Sequence, residues 1–365
     1  MYSLQQFFSY VPLTEMVVRV LGGIPRVLPE GFFNLTRDIP GDRFRRTTFR
    51  GTRQLARVSK YGSPPRNRQR VGRGTEDRIM LHTIEQIQAS HELLMLIRKW
   101  DDYLAQQMAR DLIAQDAVEF GRLTDNLRVA AVTASLAYGK LWFDSNGNLQ
   151  TSSSGADLEL DYGVPAANQG QIARGPSGAD LITDSWDDPS SDIPTMVNNI
   201  KTAARQLNGY ELKYAFYTKN VAGYLARNDS FQRYLSRNPQ MNQQYVTSGQ
   251  IPAGVLDLTW VPVQDAFFDT TSDVVTEIFP ADQVTFYPEI SRQTYELMQG
   301  GYPVPKNFAV AQDLEGVVSQ LDYVFGVFKY AYMMPGHMQI NMAQGDTFLP
   351  DHKIPESIFL ADVAF

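Results

Sequence analysis

The chain has 365 residues, a formal net charge of -7, 43% hydrophobic content and no cysteine. The missing cysteine excludes disulfides, thiolate nucleophiles and thiolate metal sites together, so stability has to come from packing and association. No stretch approaches the roughly 18 to 20 apolar residues needed to cross a bilayer, and no basic leader precedes an apolar run near Met1, which predicts a soluble protein made in the cytoplasm.

Residues 1 to 42 read as an irregular tethering arm, because Pro12, Pro25, Pro29 and Pro40 interrupt long helices and inner strands. A basic run follows. Arg43, Arg45, Arg46, Arg50, Arg53, Arg57, Lys60, Arg66, Arg68, Arg70 and Arg73 are eleven basic residues in a segment with no acidic one. Outside it, 22 basic residues face 40 acidic ones, a surplus of 18 negative charges. Tyr61-Gly62-Ser63-Pro64-Pro65 is a turn signal between two arginine-rich limbs of partial β character, which predicts a long two-limbed loop.

From Ile84 to Tyr138 there is no proline, and apolar residues recur one or two turns apart, so the stretch is expected to be helical. Leu104, Met108 and Leu112 share a spacing of four and are the expected buried stripe. Thr124 and Asp125 could cap a second helical segment, and Gly139 is a fitting stop. Leu141-Trp142-Phe143 then predicts a strand, 144 to 148 a turn, and 158 to 162 a partner strand. A Gly, Ser and Asp-rich passage from 169 to 191 suggests a domain boundary. Beyond it, helices are expected from Ile193 and over Asn220 to Leu235, and strands at 214 to 217, 256 to 263, 274 to 278 and 284 to 287. The last section, 323 to 342, is aromatic and β-rich, and a strand over 357 to 363 ends the chain.

The catalytic inventory is thin. The histidines are His82, His91, His337 and His352, and no nucleophile elbow, phosphate loop or dinucleotide fingerprint occurs. Solvated or satisfied histidines fit better than metal ligands, because the nine-residue interval between His82 and His91 is not a ligand spacing. Asp144-Ser145-Asn146-Gly147-Asn148 looks like half of a calcium loop, but Gly155 stands where a bidentate Glu is needed, and a hairpin turn accounts for the residues. Asp184, Asp187, Asp188 and Asp192 around Trp186 could hold a hard cation, although a helix-capping role is the better reading. Neither a cofactor nor an enzymatic activity is expected. The basic run suits two partners equally on charge alone: a nucleic acid, with Phe44, Phe49 and Tyr61 for stacking, or the acidic surface of a neighbouring copy.

The order of these features adds a resemblance. A proline-rich arm, a long basic loop, a long helix ending in Tyr138-Gly139-Lys140-Leu141-Trp142-Phe143-Asp144-Ser145-Asn146-Gly147, a compact α/β unit and a returning β section with a terminal Phe359-Leu360-Ala361-Asp362 resemble the major capsid protein of tailed bacteriophages, in the lambda-type capsid protein E family. Asp161-Tyr162-Gly163-Val164-Pro165, Trp186-Asp187-Asp188-Pro189, 327 to 332 and Gly345-Asp346-Thr347-Phe348-Leu349-Pro350 are similar to the family as well. The resemblance implies an α+β Hong Kong-type capsid fold. Its parts would be an N-terminal arm (1-43), an extended basic loop (44-82), a peripheral domain with spine helix and hairpin (83-180), an axial domain (181-304), returning peripheral strands (305-350) and a tail strand (351-365). It implies hexamers and pentamers assembling in the host cytoplasm into an icosahedral virion shell around double-stranded DNA. The implied partners are a separate scaffolding protein, a portal protein and a possible decoration protein; a membrane is not among them. The eleven basic residues become inter-subunit contacts on this reading. The alternative is a nucleic-acid-binding protein using the segment 43-73.

Overall fold

The computed structural model describes residues 10–21, 26–49, 73–88, 95, 103–174, 178–264, 266–269, 274–305, 309–310, 321–333 and 340–365. The arm is more ordered than its prolines suggest. Tyr10–Leu21 is a helix with Pro12 in its first turn, where the missing N–H has no helical partner to lose. Leu13 and Val17, one turn apart, are buried. After a helical turn at Gly31–Asn34, the strand Thr36–Ile39 pairs in parallel with Tyr295–Pro305.

The strand Ile340–His352 is the centre of a seven-stranded sheet, and all thirteen of its residues are buried. Both of its edges are occupied. Leu81–Gln88 pairs along one, while Phe328–Met333 and then Tyr295–Gln299 take the other. Gly345 is required here, since a Cβ at that position would lie 2.3 Å from the Thr83 carbonyl oxygen and 2.5 Å from the Phe328 ring. The pairing of 81 to 88 corrects the expectation of helix from Ile84. Thr83 and Ile87 alternate inward with exposed His82, Ile84 and Gln86, a period of two that the apolar count alone did not separate from a helix. This sheet takes up its returning strands from Tyr295 onward.

The long helix runs unbroken over Tyr103–Tyr138, 36 residues or about 54 Å at 1.5 Å per residue. Thr124 and Asp125 therefore cap nothing; the Asp125 carboxylate is buried and paired with Arg26. The expected stripe is also corrected. Leu104 and Met108 are 68% and 59% exposed, and Leu112 is half-buried. Ala105, Ala109 and Ile113, one position along, are buried instead, the last two against Leu13, Ala331 and Met342. The small residues win because the helix approaches its neighbours closely, which an alanine face permits and a leucine face does not. Towards its C-terminus the helix is buried almost all round, from Ala130 to Ala137, and Gly139 ends it at φ 62°. A Cβ on Gly139 would meet Val164 Cγ2 at 2.6 Å. The strands Lys140–Phe143, Leu149–Gln150 and Leu158–Asp161 follow as a small sheet. Asp144 shapes its turn by accepting from the Asn146 and Asn148 amides, both at 2.8 Å.

A second core fills the α/β unit. Its five-stranded sheet runs, in spatial order, Thr259–Pro262, Leu212–Tyr217, Gln283–Pro288, Phe359–Asp362 and Gln169–Gly170. Ile193–Asn208 packs Ile193, Val197, Ile200 and Ala204 onto this core. Asp192 caps that helix as expected, accepting from Thr195 N at 3.4 Å and Thr195 Oγ1 at 2.7 Å. The helix expected over 220 to 235 is two, Lys219–Arg227 and Asp229–Ser236. Asn228 divides them: its Oδ1 accepts from Phe231 N at 2.9 Å while its Nδ2 donates to Ser191 O at 2.9 Å. Pro239–Ser248 is a further helix that apolar periodicity did not reveal, since none of its residues is fully buried and only Met241 and Tyr245 pack on the second core. Two-stranded hairpins at Ala266–Asp269 with Val274–Glu277, and at Arg43–Phe49 with Arg73–Ile79, stand apart from both sheets. No described helix is long and apolar enough to cross a membrane.

The helix packing yields a stability contrast. Ala109→Leu overpacks the contact with Leu13 and costs the subunit about 1–3 kcal/mol, whereas Met108→Ala changes it by less than about 0.5 kcal/mol. Urea unfolding of the two variants checks this; a large loss at Met108 contradicts it.

Candidate intersubunit surface at the base of the basic loop

The basic run begins inside the hairpin Arg43–Phe49/Arg73–Ile79, and its register sets the local charge pattern. Arg45 stands opposite Asp77 and Arg46 opposite Glu76, so the first acidic residues after the run answer the first arginines within it. Arg43 is exposed. Arg45 is exposed too, with its Nε 3.0 Å from Asp77 Oδ1; this pair lowers the Asp77 pKa through the hydrogen bond first and charge second. As a fully solvated pair it adds little stability.

Arg46 departs from the expectation of an inter-subunit contact. It is 3% exposed and turned into its own subunit. Its Nε lies 2.8 Å from Asp351 Oδ1, its Nη1 donates to the Tyr162 carbonyl at 3.1 Å, and its Nη2 donates to the His352 carbonyl. The guanidinium also sits 5.5 Å from the centre of the Tyr162 ring. The physical reason is strand alternation: neighbours in an extended chain face opposite sides, so one of the adjacent arginines 45 and 46 must point inward. The inward one is held by a carboxylate from the central strand. Burial raises the Asp351 pKa, opposed by Arg46 and then Lys353 and Arg78.

Beside this pair is a closed polar network. His352 is fully buried, with Nδ1 3.0 Å from Tyr287 Oη and Nε2 2.9 Å from Ser135 Oγ on the long helix. Desolvation, followed by the nearby Arg46 charge, pushes its pKa down to about 3, so the ring is neutral at physiological pH. His82 is bonded to Thr347 Oγ1 at 2.8 Å. These two are satisfied structural histidines.

Arg50, Arg53, Arg57, Lys60, Arg66, Arg68 and Arg70 lie outside the described residues, as do His91 and His337. Arg73 opens the return strand opposite Phe49. Two further buried pairs escaped sequence reading. Arg26 of the arm forms an ion pair with Asp125, and Arg128 holds Asp346 of the central strand with bonds of 2.5 and 2.7 Å. Their pattern was accessible in principle, as charged residues on an otherwise apolar helical face, but the partners are 99 and 218 positions away. Among Asp184, Asp187, Asp188 and Asp192, Asp188 accepts from the Ser190 amide at 2.8 Å. No group of three or more His, Asp or Glu is placed to hold a metal among the described residues.

Two outcomes follow. Arg46→Met strands Asp351 in the interior and costs about 3–5 kcal/mol, while Arg45→Ala leaves the stability nearly unchanged; equal losses in urea unfolding contradict this placement. For His352, the folded pKa lies below the unfolded value of about 6.5, so the unfolded chain binds the extra proton. Its contribution is complete above about pH 6.5 and is lost as pH falls towards 3, by up to about 1.4 kcal/mol per pH unit. His352→Gln flattens that slope between pH 6.5 and 4, and an unchanged slope contradicts the assignment.

No protein-family model matches the sequence, and no curated protein matches it. Solved structures do. A crystal structure from an Escherichia coli CFT073 prophage, described as its capsid protein, aligns with a TM-score of 0.54 at 12% identity over 98% of this chain and 99% of that one. The satellite phage P4 procapsid aligns at TM-score 0.45 and 10% identity, over 96% and 90%. The mature capsid of bacteriophage PhiM1 aligns at 0.41 and 11%, over 91% and 86%. From end to end, with its long helix, its anchored loop hairpin, its α/β unit and its returning sheet, the chain has the Hong Kong-type phage capsid fold.

Proposed function

We propose that this chain is the major capsid protein of a tailed bacteriophage, closing as hexamers and pentamers into an icosahedral virion shell around double-stranded DNA. The observation that carries it is the match to the prophage capsid structure, which covers 98% of this chain and 99% of that one. The role is structural and not enzymatic. It agrees with the chemistry of the described polar groups: the buried His, Tyr, Arg and Asp residues bond to one another around the central strand. Many copies closed by symmetry turn modest contacts into large collective stability, which suits a chain without cysteine.

The exposed arginines of the run 43–73 are the proposed contact between copies, meeting the acidic surplus of the neighbouring subunit. Arg46 is excepted, because it is occupied within its own subunit. Scaffolding, portal and decoration proteins are the partners such a shell would take.

Reversing Arg50, Arg53 and Arg57 together to Glu blocks assembly in sedimentation velocity and leaves the subunit's melting temperature unchanged. Normal assemblies from that variant contradict the contact. A chain that stays monomeric until DNA is added, in the unmodified protein, favours the nucleic-acid-binding alternative instead.

A further inference from the structure

The arm helix Tyr10–Leu21 lies across the long helix and the strand Phe328–Met333. A helix of twelve residues is marginal by itself, and among its described side chains Leu13 and Val17 are the buried ones. Its hold on the sheet includes one polar contact. Thr14 Oγ1 accepts from the Lys329 amide at 3.1 Å and donates to the Lys329 carbonyl at 3.3 Å. These backbone groups lie on the outer edge of their strand. The inner edge of Phe328–Met333 pairs throughout with the central strand, whereas Ala309–Val310 meets the outer edge at Tyr332 and Met333. Among the described residues no strand pairs with 328 to 331 on that side, and the Thr14 hydroxyl serves both backbone groups of Lys329 in its place.

The Lys329 side chain lies under this cover. It shares a face of the strand with Ala331, which packs against Leu13 of the arm and Ala109 and Ile113 of the long helix, and the residue is 0% exposed. Few charges face it. The long helix supplies partly buried Asp116, with exposed Glu119 three positions on; the central strand sets uncharged Gln344 opposite; Glu15 and Arg19 of the arm helix are exposed. Burial outweighs Asp116 and pushes the Lys329 amine down to about 8 from its ordinary 10.5. The covered lysine therefore holds its proton less tightly than a solvated one. Below pH 8 the covered state bears the full cost of a buried charge, and that cost fades as pH rises from 8 to 10.5. The charge has a use, because an inward-pointing lysine discourages a bare strand edge from pairing with another chain.

We infer that the helix Tyr10–Leu21 is a releasable strap, held down by the Thr14 hydroxyl on the strand edge and pushed up by the buried charge of Lys329. The inference concerns the single subunit and does not need the shell. Lifting is a local event, because the ion pair of Arg26 with Asp125 fastens the later part of the arm to the long helix separately. The helix can leave while the two large cores, which contain none of its residues, stay packed. Its departure uncovers the backbone edge at Lys329 and the small-residue face around Ala109.

The test exploits the absence of cysteine, since a single introduced thiol is then the only one to react. Val17→Cys places it under the strap, and Ala134→Cys places a control inside the long helix's buried end. In the full chain at pH 7, Val17→Cys is expected to react with a thiol label much faster than the control; equal rates would mean that the helix leaves only on global unfolding, and would overturn the strap. Scaled to a free thiol peptide at each pH, the Val17→Cys rate is expected to fall about tenfold from pH 7 to pH 9. Adding Lys329→Met should abolish that fall and slow labelling at pH 7 by about tenfold or more, while adding Thr14→Val should speed it about fivefold. An unchanged pH 7 rate with Lys329→Met, or the same fall with pH, overturns the inference. Hydrogen exchange across 326 to 331 reads the same opening without any cysteine: Lys329→Met is expected to slow it at pH 7, and equal or faster exchange would count against the strap.

Discussion

The structure depends on the strand Ile340–His352, which is buried from end to end with both edges paired. An unpaired charge buried in that position is costly, so each carboxylate on the strand recruits a counter-charge from a distant part of the chain. Asp346 takes Arg128 from the long helix, and Asp351 takes Arg46 from the loop hairpin. Arg26 and Asp125 then join the arm to the same helix. Arm, helix and loop are thus registered on one strand by three buried ion pairs, each of which is costly to break from one side only.

This arrangement separates two uses of arginine that sequence composition merges. Arg46 is part of the interior, and its worth is the avoided cost of an unpaired Asp351. Arg43 and Arg45 stay in solvent, where charge is screened and pairs contribute little to folding, leaving them available for association. A hairpin base anchored through Arg46 fixes the two points, Phe49 and Arg73, at which the basic segment leaves and rejoins it. Such a base reduces the ordering cost of docking onto another surface.

Much of the fold was legible because local chemistry dictated it. Gly139 had to end the helix once Val164 closed over it, Asp192 before Ile193-Pro194 had to cap, and the Asp144 turn had to close a hairpin. The failures share a cause: tertiary contact overrode local pattern. Leu104 and Met108 have the right spacing for a core, but the alanines beside them allow closer approach and took the inner face. Ile84 begins an apolar series that suits a helix until the buried central strand offers it an edge. The basic run was readable as a unit, while the inward turn of Arg46 depended on Asp351, 305 residues further along. The stacking of His82, Tyr302 and Phe328 was visible only as composition, since these rings come from three separate strands.

The central claim is that the chain is a shell subunit, and electron microscopy of the purified full-length protein tests it most directly. Closed particles whose faces resolve into hexamers and pentamers of this fold are the predicted result. Only dispersed monomers or dimers, at every protein and salt concentration tried, would contradict it.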